Sequence, residues 1–311
     1  MTTRDSTGAA ASGMADEAMA AALSSRLADL ASGAERSVVR VDGRRAPASG
    51  LVWADGVVVT AHHNLERDEV EVGLPDGRTV RAEVAGRDPA TDLAALRTDT
   101  GGAPAPDWGD AAALRAGQLL LGVTRPGRAP RASFGVLARV ADDWRAPAGG
   151  KLERFLELDL ALHPGFSGGL AVDVSGRAAG MLSAGLLRGT PLVVPRPTLE
   201  RVVAQLLARG GIRRGYLGVA TFPVRLPGAL RLGQDGALLV SGVEPGSPAE
   251  RGGLLLGDAI LALDGQAVSS AGDLLPLLDA ERIGKAVPVR LLRAGEVREL
   301  PVEVGARGGV R

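Results

Sequence analysis

The chain contains no cysteine, so disulfides, thiolate nucleophiles and cysteine zinc sites are all excluded at once. It has three histidines, only two lysines and 3% aromatic residues across 311 positions. Its 36 basic and 36 acidic residues are interspersed and cancel, leaving no basic face to follow a phosphate backbone. Nucleic acid is therefore not an expected partner. No apolar run approaches the roughly 18 residues of a membrane span. The N-terminus also lacks a basic patch followed by an apolar signal core, so the expectation is a cytoplasmic chain, with the cell envelope open only if the start is misassigned.

Glycine is plentiful, with 44 residues, and 19 prolines accompany it. Residues 1–15 are small and polar and read as a disordered tail. From Ala18 to Leu30 the residues Met19, Leu23, Leu27 and Leu30 recur at helical spacing, which predicts an amphipathic helix docked on the next domain or used as an oligomer contact.

From Ser37 the rhythm becomes that of short strands. Ser37–Val41, Leu51–Trp53, Val57–Thr60, Glu69–Leu74, Val80–Val84, Leu93–Arg97, Leu119–Val123 and Ser133–Val140 are separated by turns such as Pro75-Asp76-Gly77. This spacing fits an all-β barrel or sandwich. Further strands are read at Leu170–Val174, Ala178–Leu182 and Leu192–Val194, and Pro195 and Pro197 open a helix over 198–208 that Gly210-Gly211 ends. A boundary follows. Beyond it, Tyr216–Val219, Ala237–Val243, Ala259–Leu263, Val287–Arg293 and Arg298–Val304 alternate with helical stretches Pro248–Gly252 and Ser270–Ala280. That unit is mixed α and β, and the tail from Arg307 shows no packing pattern.

Gly165-Phe166-Ser167-Gly168-Gly169 frames a serine with glycines. In an α/β-hydrolase the histidine follows such a serine, but His62, His63 and His163 all precede Ser167, which removes that fold. A histidine-assisted Ser167 needs an upstream base and a carboxylate to hold the base's tautomer, the order of chymotrypsin-like double barrels. His62 and His63 follow an apolar strand, and Asp92 directly precedes another. Each is placed where a rigid strand end can aim it. Gly165, without a Cβ, can turn its N–H toward a bound carbonyl, and with the N–H of Ser167 it forms a potential oxyanion hole worth about 3 kcal/mol per donor.

Three boxes carry a family resemblance. They are Val59-Thr60-Ala61-His62-His63-Asn64, then Gly86-Arg87-Asp88-Pro89-Ala90-Thr91-Asp92-Leu93-Ala94, then Leu158 through Gly169. These resemble the T-x-x-H-V, G-x-D-x-x-T-D-L-A and T-D-A-A-I-N-P-G-N-S-G-G boxes of the HtrA (Deg) family of chymotrypsin-fold serine proteases with a C-terminal PDZ domain. Trp108-Gly109-Asp110 with Leu114-Arg115-Ala116-Gly117 is similar to that family's linker between barrels. The resemblance implies a mainly β chain, a chymotrypsin-like double β-barrel followed by a small α+β PDZ domain. The implied limits are a tail and helix over 1–36, a protease domain over 37–211 and a PDZ domain over 212–306.

By the same resemblance His63 is the base, Asp92 its orienting acid and Ser167 the nucleophile, with His62 the second candidate base and His163 a loop-packing residue. Gly165 and Ser167 supply the oxyanion hole. Ala161, Met181, Leu182 and Ser183 are expected to line the first specificity pocket; none is charged, which implies cleavage after small or medium aliphatic residues. The chain departs from the family at Phe166, Leu160, Leu162 and His163, and Phe166 stands beside the expected oxyanion donors.

Arg214-Gly215-Tyr216-Leu217-Gly218-Val219 is similar to the family's carboxylate-binding loop, in which Tyr216, Leu217, Gly218 and Val219 take a peptide C-terminus. Val243 to Ala249 and Gly253 to Gly265 match the PDZ pattern, and Leu274, Leu275 and Leu278 are candidates for the groove wall. The implied partners are polypeptide substrates, peptide C-termini and exposed unfolded segments, with no metal or organic cofactor. A homotrimer is the assembly the resemblance implies, although the N-terminus lacks an aromatic patch to form it. The alternative function is a catalytically silent scaffold acting through the PDZ domain.

Overall fold

A computed structural model describes residues 6–44, 46–187, 189–212, 214–228 and 233–307, with side chains from residue 17 to 306. The expected tail beyond Arg307 and the first five residues lie outside this range. Helix α1 runs over Ser6–Ala34, twelve residues earlier than its apolar spacing predicts. Alanine dominates this stretch, and alanine has the highest intrinsic helix propensity, so residues 6–15 are helical rather than a disordered tail. The expected amphipathic face is only partly used. Met19 and Leu23 are exposed, whereas Leu30 is buried and Arg26 donates to the carbonyl of Val174 at 3.2 Å.

Two compact units are present: one holds the chain up to Trp144 with Leu152–Ala204, the other Arg145–Lys151 with the chain from Gln205. The first contains two closed six-stranded barrels. Strands β1 (Val38–Asp42), β2 (Ala48–Ala54), β3 (Val57–Ala61), β4 (Glu69–Gly73), β5 (Thr79–Asp88) and β6 (Leu93–Thr98) close in the order β1-β2-β3-β6-β5-β4. β-Branched valines fill the interior, with Val39, Val41, Val52, Val58 and Val72 fully buried alongside Leu96. Closure leaves this barrel without a free strand edge.

The second barrel comprises β7 (Leu119–Thr124), β8 (Arg131–Ala141), β11 (Phe155–Asp159), β12 (Leu170–Asp173), β13 (Ala178–Ser183) and β14 (Leu192–Pro195), in the order β11-β14-β13-β12-β7-β8. Between β8 and β11 the two-residue strands β9 (Trp144–Arg145) and β10 (Lys151–Leu152) pair with each other. Leu137, Leu156, Leu182 and Val193 pack its core. Helix α2 (Arg196–Arg209) follows directly, with Leu199, Val202, Val203 and Leu206 buried.

The second unit adds β15 (Arg214–Tyr216), β16 (Val219–Arg225), β17 (Gly236–Val243), α3 (Pro248–Arg251), β18 (Ala259–Leu263), β19 (Gln266–Ala267), α4 (Ala271–Leu277), β20 (Ala286–Arg293), β21 (Glu296–Glu303) and β22 (Gly305–Arg307). The main sheet runs β16-β17-β18-β20-β21, which leaves β16 at an edge. The single strand expected over Tyr216–Val219 is broken at Leu217-Gly218, because Gly218 has φ +84° and turns the chain between β15 and β16. Helix α4 starts at a capping box of Ser270 and Asp273 and stops at Leu277, short of the expected Ala280.

Candidate active site

The β3–β6 pairing sets the geometry of the first cluster. Ala61 lies opposite Leu93, so the chain leaving β3 and the chain entering β6 emerge side by side. The turn His62–Asn64 therefore sits against Asp92, and the His62 N–H donates to the Asp92 carbonyl at 3.0 Å. Asp92 has φ +54°, a left-handed conformation that aspartate tolerates better than most residues. The preceding box residues brace it. Buried Asp88 accepts from the Thr91 hydroxyl at 2.6 Å and the Ala90 N–H at 3.3 Å.

The Asp92 carboxylate is buried and points at His63. The His63 Nδ1 lies 2.8 Å from each carboxylate oxygen, the His63 N–H donates to Oδ1 at 3.1 Å, and the Ser183 hydroxyl donates to Oδ2 at 2.7 Å. A carboxylate accepts only, so Nδ1 donates its proton to Asp92, and in a neutral imidazole Nε2 is then the nitrogen left as acceptor. Gly185 closes over this pair: a Cβ there would stand 2.4 Å from His63 Nδ1 and 2.6 Å from Asp92 Oδ2. Neither Ser183's bond to Asp92 nor the steric demand at Gly185 was foreseen from sequence, since both arise from the end of β13 and the residues after it passing the first barrel.

Ser167 lies in the turn between β11 and β12 and is 5% exposed. The turn is pinned from within by Phe166 N–H to His163 O at 3.1 Å, Gly168 N–H to Leu182 O at 2.8 Å and Gly169 N–H to Phe166 O at 3.2 Å. Gly168 has φ +88°, and a Cβ on it would reach within 1.9 Å of the Ser49 carbonyl oxygen, so no other residue fits. Phe166 is buried in the second-barrel core and meets the His163 ring edge-on at 5.9 Å. Its bulk anchors the turn inside the barrel core while the residue also lines the cleft beside Ser167. Among the described residues, the N–H groups of Gly165 and Ser167 have no protein acceptor.

His63, Asn64, Leu162, His163, Pro164, Gly165, Phe166, Ser167 and Ala184 line one open cleft of about 370 Å³. His63, Gly165 and Ser167 thus line the same cleft, with Asp92 hydrogen-bonded to His63. The Ser167 hydroxyl accepts from the Ala184 N–H at 3.1 Å, and no hydrogen bond joins it to His63 among the described residues. His62 is not in the cleft wall; burial foremost lowers its pKa below 6.5, against the opposing pull of Asp92. His163 is in the wall, its Nδ1 donating to the Pro164 carbonyl at 3.0 Å.

The expected pocket residues are not cleft-lining. Ala161 is exposed outside it, while Met181, Leu182 and Ser183 are 0% exposed on β13. Leu182 packs in the barrel core and Ser183 turns to Asp92, so the cleft wall comes from Leu162, His163 and Ala184 instead. Among the described residues no three His, Asp or Glu side chains converge on a metal position.

In the second unit, Tyr216, Leu217, Gly218 and Val219 form the break between β15 and β16. Leu217 is buried, its carbonyl accepting from Ala249 N–H at 2.7 Å, and the Gly218 carbonyl accepts from Glu244 N–H at 2.9 Å. The Tyr216 hydroxyl donates to the Glu244 carboxylate. The N–H groups of Leu217 and Gly218 have no protein acceptor among the described residues, beside the free edge of β16. Of the leucines expected in the groove wall, Leu274 and Leu278 belong to the unit's core cluster with Leu217, and Leu275 is half-buried.

Residues 48–181 match the trypsin-like peptidase domain model and residues 215–304 the PDZ domain model. A probable periplasmic serine endoprotease DegP-like protein of Halomonas elongata is 34% identical over 277 residues, covering 84% of this chain and 57% of that protein. One from Chlamydia trachomatis is 31% identical, covering 82% and 52%. The chain thus spans little more than half the length of these curated relatives. A solved HtrA-type protease, AlgW with a tripeptide, is 30% identical with a TM-score of 0.68, covering 90% of this chain and 97% of that one. The cytoplasmic placement expected from the N-terminus is overturned by these relatives, which are named probable periplasmic endoproteases and point to the cell envelope. With two barrels, a cleft holding His63 and Ser167, and a PDZ domain in one chain, this protein belongs to the HtrA-type serine protease family.

Proposed function

We propose that the chain is a serine endopeptidase of the cell envelope that cleaves unfolded or damaged polypeptides. The observation that carries the reading is that one cleft joins His63, backed by Asp92, to Ser167 and to two N–H groups without a partner among the described residues. Ser167 Oγ attacks the scissile carbonyl carbon, His63 Nε2 takes the hydroxyl proton and then delivers it to the leaving amine, and Asp92 holds the imidazole in the Nδ1–H form throughout. The carbonyl oxygen, now an oxyanion, is received by the N–H groups of Gly165 and Ser167. Water then attacks the acyl-enzyme by the reverse roles. The Ser167 hydroxyl reaches His63 by rotating away from the Ala184 N–H.

Among the described residues, no Asp, Glu, Lys or Arg lines the cleft. Cleavage therefore follows small or medium apolar residues, and a peptide panel cut fastest after Lys or Arg would refute this. The PDZ domain captures hydrophobic C-termini or exposed segments, with the free N–H groups of Leu217 and Gly218 receiving the carboxylate and the edge of β16 the added strand. Assembly as a homotrimer is part of this reading. A second reading, a silent peptide-binding scaffold, is favoured by the Ser167 hydroxyl being bonded to Ala184 rather than to His63. Casein separates the two: cleavage that disappears in Ser167→Ala supports the enzyme, while peptide binding without turnover supports the scaffold.

A further inference from the structure

Asn64 follows the proposed base and stands where the T-x-x-H-V box has valine, so its amide is a feature of this chain rather than of the box. It is 7% exposed, and its Nδ2 uses both hydrogens, donating to the Ser167 carbonyl at 3.0 Å and to the Thr60 hydroxyl at 3.2 Å. Thr60 in turn donates to the Ser49 carbonyl at 2.6 Å. Ser49 returns to the same turn twice, its N–H reaching the Ser167 carbonyl at 3.3 Å and its hydroxyl the Gly165 carbonyl at 2.7 Å. The Arg125 N–H donates to that hydroxyl at 2.9 Å, which fixes its proton toward Gly165.

We propose that Asn64, with Ser49, is a positioning residue that clamps the oxyanion-hole turn of the second barrel onto the first by holding the carbonyls of Ser167 and Gly165. These carbonyls belong to the two cleft-lining residues whose N–H groups have no protein acceptor among the described residues. Holding each carbonyl fixes the peptide plane that follows each donor, and so fixes where the donors and the Ser167 hydroxyl point. Valine at 64 would offer no donor, and aspartate would set oxygen against oxygen. The Asn64 amide supplies two donors from one nitrogen and so bridges Thr60 to Ser167.

The proposal rests on the endopeptidase reading, and the test separates the two. Full-length parent, Asn64→Ala, Ser49→Ala and Ser167→Ala are titrated with a fluorophosphonate probe, and kcat and KM on fluorogenic casein are expressed per titrated site. Loss of one such hydrogen bond in Asn64→Ala should lower kcat per site about tenfold with KM within about twofold of the parent. Affinity for a peptide boronate, which forms a tetrahedral adduct, should fall in parallel, and Ser49→Ala should behave alike. A residue that only supports the fold would lower the number of titrated sites and leave kcat per site unchanged. That outcome in either variant, or a loss confined to KM, overturns the clamp while the parent still cleaves. A parent that neither labels nor cleaves overturns both readings. If Asn64→Ala yields no folded protein, Ser49→Ala decides alone by the same criterion.

Discussion

Gly185 offers a sharp perturbation of the site because its need for glycine is purely steric. Its φ is not in the left-handed region, so alanine is conformationally acceptable there. The obstacle is the added methyl, which would stand 2.4 Å from His63 Nδ1, 2.6 Å from Asp92 Oδ2 and 2.9 Å from His63 Cε1. An ordinary contact begins near 3.4 Å, so the imidazole or the strand end must yield by about 1 Å. Backbone on one side and a carboxylate held by Ser183 on the other leave the imidazole as the group that moves. A displacement of about 1 Å in a catalytic group costs on the order of a hundredfold in rate, about 2.7 kcal/mol of barrier. Casein cleavage by Gly185→Ala should therefore fall about a hundredfold in kcat/KM, with the melting temperature little changed. Gly33→Ala serves as the control: no atom lies within 4 Å of its Cβ position in α1, so activity should persist and the helix should gain about 0.5–1 kcal/mol. Gly185→Ala with activity within about threefold of the parent would refute the placement of His63 beneath this chain segment.

Two further outcomes test other parts of the structure. Burial depresses the pKa of His62, so the folded chain binds its proton less readily than the unfolded chain. This contribution to stability is complete above 6.5 and is lost as pH falls through the depressed folded value, so His62→Gln should lose less stability than the parent between about pH 7 and pH 5. Parallel urea midpoints across that range would contradict it. In the second unit, Gly218→Ala combines φ +84° with a Cβ 2.3 Å from the Ser247 Cβ, so calorimetry should show binding of a hydrophobic C-terminal peptide weakened at least about tenfold. Unchanged affinity would move the peptide site away from this loop.

The strands of the first barrel were legible because alternating or continuous valine runs end at unambiguous turns, and Asp92 was legible because Asp88 and Thr91 accompany it for a physical reason, the brace that holds its left-handed backbone. Strand β11 was not read from sequence. Leu152, Phe155, Leu156 and Leu160 satisfy helical spacing as well as Phe155–Asp159 satisfies a strand, and only pairing with β8 decides between them. Strand β16 was missed because Pro223 interrupts it, which an edge strand tolerates and a central one does not. The packing of the expected pocket residues was not legible in the sequence, for tertiary reasons. Which of Met181, Leu182 and Ser183 meets the cleft depends on how β13 sits in the closed barrel, and that is absent from local pattern. The contacts of Asn64, Ser183 and Gly185 were not legible either, since each acts on a residue far away in sequence.

The most direct test of the central claim is covalent labelling of the full chain with a fluorophosphonate, read by peptide mass spectrometry alongside Asp92→Asn and His63→Ala. The predicted result is a single adduct on Ser167, formed far more slowly in both variants. An unlabelled chain, an adduct on another serine, or labelling indifferent to His63 and Asp92 would contradict the assignment of Ser167 as an activated nucleophile.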